Sequence, residues 1–124
     1  MDEAPAMPPV GTHLLADFWG VERIDTVAEL DALLRAAVAA AGATLLELGL
    51  HPFPGSGAAP GGITGYALLA ESHIGVHTWP ERDYVAIDVF MCGEQRPAEA
   101  LEVLRRAFRP THEDVRAVVR GGAS

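Results

Sequence analysis

Between Tyr84 and Cys92 the chain alternates without a break. Val85, Ile87, Val89 and Met91 fall on one side, Ala86, Asp88, Phe90 and Cys92 on the other. A period of two belongs to a strand, and an aliphatic row opposite a mixed one belongs to a sheet that buries one face. Something must cover that face. Thr26-Val27-Ala28-Glu29 has the form of a helix capping box, a hydroxyl followed three residues later by a glutamate. Leu30, Leu33, Leu34, Ala37, Val38 and Ala41 then recur at helical spacing, and Gly42 stands where a C-terminal glycine cap belongs. Pro97 opens a second helix that carries Ala98, Leu101, Val103, Leu104 and Phe108 and ends before Pro110.

Around these lie further extended segments: His13–Trp19, Ala43–His51, Ile63–Ser72 continued by Ile74–Thr78, and Val115–Val119. Pro52–Gly62, with its prolines and glycines, reads as a loop, and Trp79–Asp83 as a turn. Residues 1–10 hold three prolines and no periodicity and read as a flexible tail. Counting the two pieces around Ser72 as one, the order is β-α-β-β-β-α-β. The expected fold is α+β, a two-layer sandwich with a mainly antiparallel sheet and two helices on one face. At 124 residues the chain suits one domain, over residues 11–120.

A composition 49% hydrophobic and 21% charged excludes a disordered or collagen-like chain. No apolar window is long enough for a transmembrane helix, and Met1–Pro5 lacks the marks of a signal peptide. With 9 basic against 17 acidic side chains, the net charge is -8. Nucleic acid and anionic membranes are therefore poor partners, and a cationic ligand a better one. Cys92 is the single cysteine, so neither an internal disulfide nor a cysteine zinc ribbon can form. A reducing cytoplasm is the expected setting. There Cys92 is either a small buried apolar residue or a reactive thiol.

One window is unlike ordinary core sequence: Ala70-Glu71-Ser72-His73-Ile74-Gly75-Val76-His77-Thr78-Trp79-Pro80-Glu81. It sets a serine, two histidines and carboxylates between apolar strands, where polar groups need partners or a purpose. Three readings compete. His73 and His77 could share a metal, although the segment favours extended chain and shows no third ligand nearby. Ser72 could be a hydrolase nucleophile, although no glycine-flanked nucleophile turn surrounds it. Or the polar groups are satisfied parts of a strand.

This run, with Asp88-Val89-Phe90-Met91-Cys92-Gly93, resembles the self-processing site of the prokaryotic S-adenosylmethionine decarboxylase proenzymes, over roughly residues 11–120. The resemblance implies that Ser72 attacks the carbonyl of Glu71 and splits the chain into a β chain of 1–71 and an α chain of 72–124. Residue 72 then becomes a pyruvoyl group, the cofactor, which forms a Schiff base with substrate; no metal is expected. His77 matches the family's proton-transfer histidine in processing, and Cys92 its general acid. Glu81 falls in the substrate site, Phe53 where an aromatic could stack on a purine, and Thr64 where a small hydroxyl aids processing, while His73 supports the site. The family also implies a homodimer of αβ units feeding spermidine synthesis. A relative acting on ornithine or arginine, and a processing-dead dimer partner, are the alternatives. The extra tail, Phe18-Trp19-Gly20-Val21 in place of a more usual aromatic-glycine-cysteine run, and the Pro52–Gly62 loop depart from the family pattern, and they bear on specificity.

Overall fold

A computed structural model describes residues 7–122. Strand β1 (Gly11–Trp19) is followed by helix α1 (Val27–Ala41), β2 (Leu45–Pro52), β3 (Ile63–Leu69), β4 (Ser72–Trp79), β5 (Tyr84–Cys92), α2 (Pro97–Phe108) and β6 (His112–Arg120). A short 3-10 turn at Pro80–Arg82 joins β4 to β5. The six strands form one sheet in the order β2-β3-β4-β5-β1-β6, every neighbouring pair antiparallel. The expected α+β sandwich and its element order hold. The two extended pieces around Ser72, taken together as one, are the arms of a hairpin: β3 and β4 fold back on each other across a turn at Ala70-Glu71. That turn contains no glycine, proline or asparagine to announce it.

Helix α1 starts where its capping box sits. Thr26 Oγ1 accepts from the Glu29 backbone N–H at 3.2 Å and donates to Glu29 Oε1 at 2.7 Å. It ends at Gly42, whose φ of +71° makes the left-handed cap that a side chain would strain. Leu30, Leu34 and Ala37 are completely buried, and α2 adds Ala100, Leu101, Leu104 and Phe108. Both helices lie on one face, α1 against β2 and β3, α2 against β1 and β5, and they pack on each other. Beneath them the strands contribute Leu14, Ala16, Phe18, Ile74, Val76, Val85, Ile87, Val89 and Met91.

Among the described residues, no layer covers the other face. It presents Leu15, Tyr66, Leu68, Trp79 and Val118, each between 37% and 44% exposed. Edge strand β6 lies beyond the helices and is exposed along its whole length. Arg105 on α2 still ties it down, donating from Nε and Nη2 to the Glu113 carboxylate at 2.9 and 2.8 Å. Of the expected tail, residues 1–6 lie outside the described residues. Residues 7–10 have no regular structure, but Val10 joins the sheet by donating its N–H to Arg120 O at 2.8 Å.

Candidate active site

Ser72 opens β4, with Leu69 of β3 on one side and Met91 of β5 on the other. Regular pleating would turn its side chain toward the helices with those two neighbours. Its φ is instead +147°, which takes the residue out of the pleat and into backbone space that L side chains rarely enter. Such a conformation costs about 1–3 kcal/mol and persists only where its surroundings hold it.

The surroundings do hold it. The Glu71 carbonyl, which belongs to the Glu71–Ser72 peptide bond itself, accepts the backbone N–H of Cys92 at 3.1 Å. The Glu71 carboxylate accepts from Thr44, at 2.9 Å from its N–H and 3.2 Å from its hydroxyl. The carbonyl that a Ser72 attack would target is therefore oriented, and a donor stands where negative charge would develop. Cys92, at the end of β5, is a free, half-buried thiol on the parity of Phe90 and Asp88.

His73, Gly75, His77 and Trp79 alternate onto the uncovered face, so the two histidines are half-buried at most. Within this window only Thr78 is a buried polar residue, its hydroxyl accepting the Ile63 N–H at 2.9 Å. His77 lies opposite Thr64, with Thr64 Oγ1 3.2 Å from its Nδ1. His77 is five residues along an extended strand from Ser72, about 16 Å. One chain thus joins Ser72 with Cys92 and Glu71, and His77 with Thr64, but it does not join the two groups.

The His77 end opens into a cleft of about 410 Å³ lined by Phe53, Pro54, Gly61, Gly62, Thr64, His77, Thr78, Trp79 and Glu81. Phe53 and Glu81, single residues in the sequence reading, share this one cavity with Trp79, which that reading left in a turn. Trp79 is held by stacking: its ring lies 5.3 Å from Tyr84, which lies 5.7 Å from Trp19. The Tyr84 hydroxyl is pushed up to about 12, by burial first and then by its hydrogen bond to Asp17.

His73 does not pair with His77. Its Nε2 meets Asp88 Oδ2 at 2.7 Å, and His13 Nε2 meets the same oxygen at 2.9 Å. Burial acts to raise the Asp88 pKa, but hydrogen bonds and charge from His13 and His73 outweigh it and hold the carboxyl below its ordinary value. His13, His73 and Asp88 have the composition of a metal site. Arg120 argues against it. Its guanidinium lies 3.1 Å from His13 Nδ1 and already places a positive charge beside the cluster. The cluster is a hydrogen-bonded chain across β6, β1, β5 and β4. The sequence reading gave His13 and Asp88 no role at His73, because the three meet only through strand register.

The family model for S-adenosylmethionine decarboxylase matches residues 12–121. The chain belongs to the S-adenosylmethionine decarboxylase family. Among similar relatives, the S-adenosylmethionine decarboxylase proenzyme of Thermomicrobium roseum is 42% identical over 116 residues, covering 93% of this chain and 97% of the relative. That of Methanococcus aeolicus is 38% identical over 118 residues, with 93% and 97% covered. The crystal structure of the adenosylmethionine decarboxylase from Aquifex aeolicus superposes with a TM-score of 0.83 at 33% identity, covering 95% of this chain and 96% of that one. The strained Ser72, the oriented Glu71 carbonyl and the Phe53–Trp79–Glu81 cleft all lie inside the matched span of this S-adenosylmethionine decarboxylase family member.

Proposed function

We propose that this chain is a self-processing precursor that becomes a pyruvoyl-dependent decarboxylase of S-adenosylmethionine. The observation that carries the reading is Ser72, strained at φ +147° beside a carbonyl that the Cys92 N–H already polarises. Ser72 Oγ attacks the Glu71 carbonyl carbon; the C–O bond forms, the C–N bond breaks, and the hydroxyl proton ends on the freed amine. Loss of the Ser72 α-proton then expels the Glu71 carboxylate as the end of a chain of residues 1–71. The dehydroalanine left at residue 72 takes up water and releases ammonia. What remains is a ketone at the start of a chain of residues 72–124.

That ketone supplies an electron sink for decarboxylation of a bound α-amino acid. The protein does the rest. Cys92, whose backbone N–H meets the Glu71 carbonyl, would return a proton to the substrate carbon. Phe53 and Trp79 offer aromatic walls to a purine, and Glu81 a carboxylate for ribose hydroxyls or a cationic centre. The net charge of -8 favours a substrate that carries a sulfonium and an ammonium against one carboxylate. The decarboxylated product would serve spermidine synthesis as aminopropyl donor.

The His77–Ser72 separation bears on assembly. We infer a homodimer in which two uncovered faces meet with their β4 strands antiparallel, so that His77 and Thr64 of one copy approach Ser72 and Cys92 of the other. The half-exposed Leu15, Tyr66, Leu68 and Val118 on that face are apolar surface such a partner would cover.

Denaturing mass spectrometry tests the core of the proposal. Incubated wild-type protein should show two masses, for residues 1–71 and 72–124, the latter carrying a ketone, whereas Ser72→Ala should stay whole. The processed protein should release carbon dioxide from S-adenosylmethionine and not from ornithine or arginine. An intact wild-type chain with an ordinary serine at position 72 refutes self-processing; turnover of ornithine or arginine alone refutes the substrate.

A further inference from the structure

We propose that Thr44 is a positioning residue for the cleavage, acting by gripping Glu71; the inference rests on the self-processing reading above. Attack on an amide needs the peptide plane fixed relative to the nucleophile. Here that plane follows a two-residue turn, Ala70-Glu71, whose residue types impose no geometry of their own. Thr44 supplies the constraint with three hydrogen bonds. Its carbonyl accepts the Ala70 N–H at 3.0 Å, its N–H donates to Glu71 Oε1 at 2.9 Å, and its hydroxyl donates to Glu71 Oε2 at 3.2 Å.

Thr44 is itself anchored. It follows the α1 cap, where Gly42 takes its left-handed turn and Ala43 N–H donates to Val38 O at 3.1 Å. Glu71 is thus held at two points. Its side chain is tied to the end of α1, and its main-chain carbonyl to β5 through Cys92. Rotation of the peptide plane, the motion that would relieve the strain at Ser72, has to break one of the two. The grip keeps the φ of +147° in place until the Oγ–carbon bond forms.

The measurement is the rate at which purified full-length precursor converts to the two fragments, followed by mass spectrometry. Thr44→Val, which removes the hydroxyl and keeps the shape, and Glu71→Ala, which removes the gripped group, should each slow cleavage about tenfold. Thr44→Ser should restore a rate near wild type, which a packing role for the threonine methyl would not do. Because the two side chains act through each other, Thr44→Val in the Glu71→Ala background should slow cleavage little further. Glu71→Gln, which keeps an acceptor and the side-chain length, should fall between wild type and Glu71→Ala. Wild-type rates in Glu71→Ala, or Thr44→Val and Glu71→Ala effects that multiply, overturn the grip while leaving self-processing standing. A wild-type chain that never cleaves overturns both.

Discussion

In an ordinary strand, glycine is a poorer residue than alanine by roughly 0.5–1 kcal/mol, because it gives up more backbone freedom on folding. At position 72 that order should reverse. With φ at +147°, any residue with a Cβ is strained, and glycine is not. Ser72→Gly and Ser72→Ala both lack the hydroxyl and under the proposed mechanism both stay whole, so their stabilities can be compared as single chains. Urea denaturation should find Ser72→Gly the more stable by about 1 kcal/mol. Equal midpoints, or a more stable alanine variant, would mean the strain is absent. The motif named Ser72, His77 and Cys92 from the sequence, because those residue types stand together in a recognisable run. Their geometry was not legible there. Parity along β4 would aim Ser72 at the helices beside Met91, and only the backbone angle shows that it leaves the pleat.

At the scale of elements, what could be read locally was read well. Helix α1 declares itself through the Thr26–Glu29 box and Gly42, and β5 through its alternation; both signals lie within the element they describe. The β3–β4 hairpin was harder, since its turn is shaped by Thr44 from another element and not by its own residues. The Asp88 cluster was beyond reach for the same reason, joining β1, β4 and β5 through register. Gly75, opposite Asp88, makes room for it: a Cβ there would come within 2.4 Å of Asp88 Oδ1. Its electrostatics gives a signed prediction. A carboxyl with a depressed folded pKa contributes stability above its unfolded value, here 3.8, and loses that contribution as pH falls through the folded value. Asp88→Asn should therefore be less stable than wild type near neutrality, and the gap should narrow as pH drops below about 4. Chemical denaturation at a series of pH values checks this, and a gap that widens toward acid contradicts it.

The whole molecule offers an unpaired layer. Helices cover one face of the sheet, while the other carries His77, Thr64, the Asp88 cluster and the mouth of the Phe53–Trp79–Glu81 cleft. Nothing within one chain brings His77 to Ser72, because the two sit about 16 Å apart on a strand that pairs on both sides and cannot fold back. The proposed face-to-face pairing of two copies with β4 antiparallel would remove the gap twice over, giving two sites that would each draw Ser72 and Cys92 from one chain and His77 and Thr64 from the other. This makes a prediction that no single-chain site shares. Ser72→Ala lacks the proposed nucleophile and His77→Ala the proposed proton-transfer group, so each variant alone should process poorly or not at all. Co-expressed with different tags and purified through both, they should be recovered as mixed dimers. In these, Ser72 of the His77→Ala chain meets the intact His77 of the Ser72→Ala chain. Mass spectrometry should then show the His77→Ala chain split between residues 71 and 72 and the Ser72→Ala chain whole. If the His77→Ala chain stays as intact in the mixed dimer as it is alone, the histidine does not come from the partner, and the face-to-face arrangement loses its support.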